Sequence, residues 1–281
     1  MTIQAIQTGR VKITHSWRQG RGSGIGRIVH SLFDRSFTEW LPVYAWLIEH
    51  PEGLIVIDTG ITADANKPVW FPPHMRLVQQ AATFDMSADQ EIGPQLARLG
   101  YSCSDVRWVV MTHLHQDHDG GLRHFPHAEF LVSRAEWNAA AGLKGRLGGY
   151  LNHRWPAWFQ PKVVDFPSER FGPFTGCYTF TKAANVHLVP TPGHSAGHLS
   201  VILFDDDLAF VFAGDSSYSE ELLLAYKIDG IGVDPDVQRD TYRRLLTFAK
   251  HHRVVYLPSH DPDSASRLQR RTTIDVTKAK E

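Results

Sequence analysis

The sequence predicts a layered α/β fold, because short apolar runs typical of buried strands alternate with segments typical of amphipathic helices along its 281 residues. Hydrophobic residues make up 42% and charged residues 21%, which is ordinary globular composition. The chain is long enough to bury a sizeable core. It contains no internal repeat and no linker. We therefore expect a single domain over residues 1–281, with a polar, frayed tail at 274–281.

Strands are predicted where apolar residues alternate or form short runs between turn residues. The opening segment IQAIQTGRVKIT alternates, and the runs 43–49 and 53–58 flank His50-Pro51-Glu52 as in a hairpin. The second run ends in the turn Asp58-Thr59-Gly60. Further strands are expected at 106–111, 129–132, 178–182, 186–189, 199–204, 208–213 and 253–257.

Helices are predicted from Ser87 to a stop at Gly100, near 133–142 and near 235–251. Residues 62–85, with Pro68, Pro72 and Pro73, are expected to be irregular. The Gly/Arg-rich segment 18–26 is interpreted as a flexible loop. No strand–turn–helix pattern frames it and no Gly-Lys-Ser/Thr closes it, as a phosphate-binding loop would require.

Composition and charge exclude several classes of protein. With 29 Lys+Arg against 30 Asp+Glu the net charge is -1, which argues against a nucleic-acid partner. Two cysteines, Cys103 and Cys177, cannot form a disulfide framework. The N-terminus does not resemble a secretory signal, and no apolar run approaches the length of a membrane span. We expect a cytoplasmic protein without a membrane partner.

A histidine cluster follows the strand at 106–111. The segment Thr112-His113-Leu114-His115-Gln116-Asp117-His118-Asp119-Gly120-Gly121 holds three imidazoles and two carboxylates within seven residues. These are ligands for Zn²⁺, Mn²⁺, Fe or Co. In an extended segment His113 and His115 point the same way, so that they can bind one ion, while Asp117 and His118 can serve a second.

Three further segments would complete such a site, each with a His or Asp at the end of a predicted strand. They are Pro192-Gly193-His194-Ser195-Ala196-Gly197-His198, Ala213-Gly214-Asp215 and Ser259-His260-Asp261. Together with the Asp58 turn, this set resembles the metallo-β-lactamase superfamily, with all motifs in that family's order. The resemblance implies a four-layer αββα sandwich. It also implies that His113, His115 and His194 hold one divalent ion and Asp117, His118 and His260 a second, with Asp215 bridging both.

A narrower resemblance comes from Gly214-Asp215-Ser216-Ser217-Tyr218. A tyrosine three residues after the bridging aspartate is similar to the N-acyl-homoserine lactonases, which open quorum-sensing lactones. True β-lactamases of this fold lack the bridging aspartate. Flavin-dependent relatives carry a flavodoxin domain, and nucleases of the fold carry a nucleic-acid-binding appendage. Neither feature is expected in this chain, so both classes are disfavoured. One departure is Gln116, where many of those lactonases have an aromatic or other apolar residue; it leaves the exact substrate open.

The resemblance implies a lactonase that uses two divalent ions, with zinc favoured over Co, Mn or Fe. A metal-bridging hydroxide would attack the lactone carbonyl, the Tyr218 hydroxyl would stabilise the oxyanion and Asp117 would relay the proton to the leaving alkoxide. Asp58 either orients a ligand imidazole or caps its turn. His198 is expected to be structural rather than a ligand.

Alternatives remain open at this stage. The same centre could act on another lactone, a thioester or a phosphotriester, or the protein could bind metal without catalysis. The aromatic-rich stretches could wall an acyl-chain pocket, pack a homodimer interface or fill the core; their members are Trp70, Phe71, His74, Met75, Trp155, Trp158 and Phe159.

Overall fold

A computed structural model of the chain describes residues 1–67 and 70–280, without the side chains of Leu77 and Val78. Its strands form two sheets. In chain order, the strands of the first sheet are β1 (Thr2–Ile13), β2 (Leu41–His50), β3 (Gly53–Ile57), β4 (Ala82–Asp85), β5 (Val106–Val110), β6 (Glu129–Ser133) and β7 (Lys162–Val164). Those of the second sheet are β8 (Tyr178–Thr179), β9 (Val186–Pro190), β10 (Leu199–Asp205), β11 (Leu208–Gly214) and β12 (Arg253–Pro258).

Ten α-helices connect these strands within the described residues. They are α1 (His15–Arg18), α2 (Gly24–Phe33), α3 (Arg76–Ala81), α4 (Ile92–Arg98), α5 (Gln116–Asp119), α6 (Arg134–Ala140), α7 (Gly142–Leu147), α8 (Glu220–Leu224), α9 (Pro235–His251) and α10 (Ser264–Arg270). None of the helices in this part of the chain is long and apolar enough to cross a membrane.

The strand order is β4-β1-β2-β3-β5-β6-β7 in the first sheet and β12-β11-β10-β9-β8 in the second. The inner faces of the two sheets share one apolar core, which includes Trp46 and Ile57 from the first sheet and Val201, Phe212 and Leu257 from the second. Each outer face is covered by helices. Alternating strand residues therefore contribute to two different cores, as expected for a sheet buried on both faces.

The outer cores complete the layers. Ile92 and Leu96 of α4 pack on the outer face of the first sheet beside Leu47. Tyr242 and Leu245 of α9 pack on the outer face of the second sheet. The predicted four-layer αββα sandwich is confirmed. Because β3 is parallel to β5 and β11 is parallel to β12, the carboxyl ends of these strands meet in pairs at the edge of each sheet.

The structure differs from the sequence-based expectations in several segments. The predicted loop at 18–26 is wrong in its last residues, because α2 begins at Gly24. Residues 62–85 are not irregular throughout: they include α3 and β4, and β4 pairs with Arg10–Ile13 of β1. Pro68 and Val69 of that stretch lie outside the described residues.

Other predictions shift at element ends. The strand expected at 178–182 is limited to the two residues of β8. The helix expected at 133–142 is divided into α6 and α7, and the one expected from Ser87 begins with a 3₁₀ turn before α4. The sequence patterns did not predict α1, α5, β7, α8 or α10. The prediction of a frayed tail is also wrong. Ile274 is buried and its N–H donates to Val254 O, and the N–H of Lys280 donates to Leu224 O. Glu281 lies outside the described residues.

Gly60, in the turn after β3, combines a left-handed backbone with a close approach of the Thr8 side chain. Its φ is +69°, and an added Cβ would lie 1.8 Å from Thr8 Oγ1. Gly60→Ala is therefore expected to lower the free energy of unfolding by about 3 kcal/mol, combining backbone strain with overpacking. Urea unfolding of the metal-free protein measures this change.

Gly100→Ala is the matched control. Gly100 also has a positive φ, +88°, but an added Cβ meets nothing within 4 Å. This variant is expected to lose only about 1 kcal/mol, the cost of the left-handed backbone. Equal losses in the two variants would contradict the close approach of Thr8 to Gly60.

Candidate metal centre

Asp58 organises the loop that carries the histidine cluster. It directly follows β3 and has a φ of 57°, and Val110 O accepts its backbone N–H across the parallel pair. Its carboxylate accepts the N–H of Thr112 at 2.7 Å and the Thr112 hydroxyl at 2.8 Å. It also lies 2.8 Å from His118 Nδ1. Asp58 therefore orients an imidazole of the cluster and holds the loop after β5 at the same time.

Three histidines come together next to this loop. One candidate ligand nitrogen each of His113, His115 and His194 lies within 4.8 Å of the others. His115 Nδ1 and His194 Nε2 are 3.1 Å apart. Three imidazole nitrogens converging on one point form a ligand set suited to a borderline divalent cation such as zinc.

A second group lies beside the first. It consists of Asp117, His118 and His260, whose candidate ligand atoms also lie within 4.8 Å of one another. His260 Nε2 is 3.4 Å from Asp117 Oδ2. His260 follows β12, and its Nδ1 lies 2.8 Å from Pro42 O, so that the ring is held against β2 of the other sheet.

Asp215 stands between the two groups. Its Oδ1 lies 3.4 Å from Nε2 of His118 and 3.4 Å from Nε2 of His260, whereas its Oδ2 lies 3.6 Å from Nε2 of His194. The side chain is buried. The structure thus brings together all seven residues that the sequence analysis selected, with one carboxylate facing both groups.

Three buried nitrogen and oxygen atoms of the two groups have no hydrogen-bond partner, which indicates the kind of ligand that the site can bind. His113 Nε2, His118 Nε2 and Asp215 Oδ1 are buried and make no hydrogen bond to the described part of the chain. Buried polar atoms almost always have a hydrogen-bond partner, so three such atoms without one at the same place indicate a binding site. Imidazole nitrogens and carboxylate oxygens are suitable donors for divalent metal ions. The residues present fit a metal centre.

The opposite ring nitrogens of three of the histidines are hydrogen-bonded outward. His118 Nδ1 pairs with Asp58, His194 Nδ1 with Asp229 and His260 Nδ1 with Pro42 O. Such contacts fix the tautomer and the ring plane, and they turn Nε2 toward the centre.

Neighbouring charges shift the pKa values of His260 and Asp117 in opposite directions. Burial by itself lowers the pKa of His260, but the carboxylates of Asp215 and Asp117 outweigh it and raise that pKa to about 10. Burial raises the pKa of Asp117, whereas hydrogen bonding from His260 and the charges of His118 and His260 hold it at about 2. The carboxylate of Asp117 is therefore ionised at neutral pH and stabilises positive charge in its surroundings.

His198 is a structural residue, as predicted. It is buried, its Nδ1 lies 2.9 Å from Thr191 Oγ1, and its Nε2 accepts the N–H of Asp215 at 3.0 Å. Both nitrogens are thus used within the protein, and the ring fixes the backbone that carries Asp215.

Two buried carboxylates that hydrogen-bond to the histidine loops were not predicted from the sequence. Glu136 of α6 accepts the N–H of Leu114 at 3.0 Å and the hydroxyl of Ser195 at 2.6 Å, and so joins the two histidine loops. Asp229 lies 2.9 Å from His194 Nδ1. Ser133 with Glu136 three residues later is a helix-start pattern that could have drawn attention to Glu136. Asp229 has no comparable local signal.

Tyr218 lies over the centre. It is buried, and its ring stacks on that of His260 with 5.4 Å between ring centroids. Burial and the nearby charges of Asp215 and Asp229 raise the pKa of Tyr218 well above its usual value. The phenol therefore stays protonated at neutral pH and can donate a hydrogen bond to a negatively charged oxygen.

A cavity of about 260 Å³ opens onto these residues. His115, Asp117, His194, Asp215, Tyr218 and His260 lie at one side of it. Most of the remaining wall is apolar, with Gln116 as a polar exception; the apolar side chains include Val11, Ile13, Trp17, Phe84, Ile231 and Val233. The cavity therefore places a polar, charged centre beside an apolar compartment.

The lining distinguishes among the roles left open for the aromatic-rich stretches. Of the seven residues in those stretches, Met75 lines the cavity, and Phe71 packs behind it against Leu151. Trp155 and Phe159 belong to the core beneath the first sheet, and Trp158 is 41% exposed. The large aromatic side chains that line the apolar part of the cavity are instead Trp17 of α1 and Phe84 of β4, which pack against β1.

The fold and the centre define a class: an αββα protein with paired histidine–aspartate groups at one edge of its sheets. The sequence matches the metallo-beta-lactamase superfamily over residues 38–260, and the chain belongs to that superfamily.

Among curated relatives, the chain is 29% identical over 227 residues to N-acyl homoserine lactonase AiiA of Bacillus thuringiensis subsp. kurstaki, covering 79% of this chain and 82% of the relative. It is 27% identical over 280 residues to N-acyl homoserine lactonase AttM of Agrobacterium fabrum, covering 93% and 94%. A solved N-acyl homoserine lactone hydrolase, with the product N-hexanoyl-L-homoserine bound at its catalytic metal centre, superposes with a TM-score of 0.75 at 24% identity. That superposition covers 97% of this chain and 96% of the other.

Proposed function

We propose that the protein is a dinuclear metal-dependent hydrolase that opens the lactone ring of N-acyl-homoserine lactones. The proposal rests on one cavity, which is lined by five of the seven residues of the centre, by Tyr218 and by an apolar wall. An N-acyl-homoserine lactone has the same two parts, a polar ring with a reactive carbonyl and an apolar acyl chain. The curated relatives named N-acyl homoserine lactonase support this assignment.

The grouping of the His and Asp side chains suggests which residues would bind each metal ion. His113, His115 and His194 would hold one ion and Asp117, His118 and His260 the second, with Asp215 shared between them. Zinc is the ion we favour, and Co, Mn or Fe can occupy similar ligands. When bound, two such ions polarise a carbonyl and lower the pKa of water toward neutrality.

The chain's own groups supply the remaining chemistry. The buried phenol of Tyr218 would donate a hydrogen bond to the carbonyl oxygen as negative charge develops there. The side chain of Asp117 is 18% exposed at the cavity and ionised at neutral pH. It can therefore accept a proton from the water that attacks the carbonyl carbon and return it to the ring oxygen as the ring C–O bond breaks. No side-chain nucleophile is needed.

The acyl chain would lie against Ile13, Trp17, Phe84 and Ile231, which line the cavity. Each buried methylene contributes about 0.8 kcal/mol to binding. Until the wall is filled, a longer chain should therefore lower KM.

A second candidate function is the hydrolysis of another lactone, a thioester or a phosphotriester at the same metal centre. Gln116 favours it, because this amide adds a polar group to the cavity wall. A substrate panel separates the two: zinc-loaded protein is assayed with butanoyl and decanoyl homoserine lactones, a thioester and a phosphotriester. We expect the lactones to be turned over fastest, with a lower KM for the decanoyl substrate. Brisk hydrolysis of another ester without ring opening would contradict the lactonase assignment.

Three further expectations remain predictions: a single domain over residues 1–281, a cytoplasmic location and a homodimer. Multi-angle light scattering of the purified protein measures the last of these.

A further inference from the structure

Asp229 lies in the loop at 228–234, between α8 and α9, and is 1% exposed. Four donors surround its carboxylate. Oδ2 accepts from His194 Nδ1 at 2.9 Å and from Gln238 Nε2 at 2.7 Å. Oδ1 accepts the N–H of Ile231 at 3.0 Å and the N–H of Gly232. Burying a carboxylate is costly unless its oxygens are satisfied, and here both of them are.

The two oxygens serve different parts of the site. Oδ2 bonds the imidazole of His194, one of the proposed metal ligands. Oδ1 accepts the backbone N–H groups of Ile231 and Gly232, and Ile231 lines the apolar part of the cavity. One side chain therefore connects the centre to the wall that would bind the acyl chain.

Helix α2 holds the loop from its other side. The guanidinium of Arg27 is buried and donates to Asp229 O at 3.1 Å and to Gly232 O at 2.7 Å. The Ser31 hydroxyl donates to Gly230 O at 2.9 Å. With its backbone anchored in this way, the loop presents the Asp229 carboxylate to His194 in one orientation.

We propose that Asp229 is a positioning residue that fixes His194 and the cavity wall together. A carboxylate that accepts Nδ1–H keeps Nε2 of the imidazole free for a metal and increases its basicity. The same carboxylate sets the position of Ile231. Metal affinity and acyl-chain recognition then depend on one side chain. The second part rests on the proposed function, whereas the first does not.

Asp229→Asn tests this with little change in shape. All four partners donate hydrogen bonds, whereas an amide offers one acceptor oxygen and a donating NH₂ group. The NH₂ group must therefore face either His194 and Gln238 or the two backbone N–H groups. Asp234→Asn is the matched control. Asp234 caps α9 by accepting the N–H of Asp236 and Val237 through one oxygen, which asparagine can also do.

The readout is zinc affinity, measured by competition with a chromophoric chelator on stripped and refilled proteins. In Asp229→Asn we expect the affinity for one of the two ions to fall by about 10- to 100-fold, and in Asp234→Asn to stay at the wild-type value. In Asp229→Asn the KM for the decanoyl lactone should also rise more than the KM for the butanoyl lactone.

Wild-type zinc affinity in a folded Asp229→Asn variant would overturn the inference. A rise in KM that is equal for both chain lengths would overturn its second part. Should that variant not fold, Gln238→Ala removes one of the donors that hold Oδ2, and several-fold weaker zinc binding is expected. Unchanged binding in Gln238→Ala would then overturn it. A wild-type protein that opens no lactone contradicts the proposed function, while the zinc measurement still decides the role of Asp229.

Discussion

Asp215→Asn is expected to reduce kcat/KM for lactone hydrolysis by about 10³-fold, equivalent to about 4 kcal/mol. The substitution keeps the shape of the side chain and removes a charge that faces His118, His194 and His260 together. Two cations close together need this charge, so the variant should also bind fewer than two zinc ions per chain. Steady-state kinetics and elemental analysis measure the two effects.

Asp165→Asn is the control for a lost carboxylate. Asp165 pairs with Arg134 at the surface, away from the centre, and its replacement should leave activity and zinc content unchanged. If Asp215→Asn retained two zinc ions and wild-type turnover, Asp215 could not be the shared ligand.

Tyr218→Phe is expected to lower kcat by about 10²-fold, the usual cost of one hydrogen-bond donor to a developing oxyanion. KM and zinc content should change little, because the ring that stacks on His260 remains. Kinetics with the decanoyl lactone give the split between kcat and KM.

Tyr242→Phe is the matched control for this change. It also removes a tyrosine hydroxyl from a buried ring, one that donates to Lys227 O within the core of the second sheet. Its kcat should equal that of the wild type. A wild-type kcat in Tyr218→Phe would remove that hydroxyl from the mechanism.

Local patterns were sufficient for most of the candidate centre. His113, His115, Asp117 and His118 are close in sequence, so one loop and one short helix hold them near each other. His194, Asp215 and His260 each follow a strand, and rigid strands bring their ends to one edge of a sandwich. The chemistry of the residue types and their family order predicted the rest of the grouping.

Residues that act through distant contacts could not be predicted in this way. Asp229 reaches His194 across 35 residues, and Glu136 reaches Ser195 across 59. β4 exists because β1 provides hydrogen bonds about 70 residues earlier in the chain. The polar tail is ordered because Ile274 packs against the core of α9 and β12. In each case the stabilising partner is distant in sequence, so the residues next to the affected segment show no pattern from which the contact could be predicted.

The paired histidine–aspartate groups are expected to bind metal and to open a lactone ring. The most direct measurement is mass spectrometry of N-hexanoyl-homoserine lactone incubated with zinc-loaded protein, with chelator-treated protein and with Asp215→Asn. We predict that the loaded wild-type protein converts the lactone to the ring-opened acid, heavier by one water, with little conversion in the other two samples. An unconverted lactone with fully loaded protein, or equal conversion after chelation, would contradict the account.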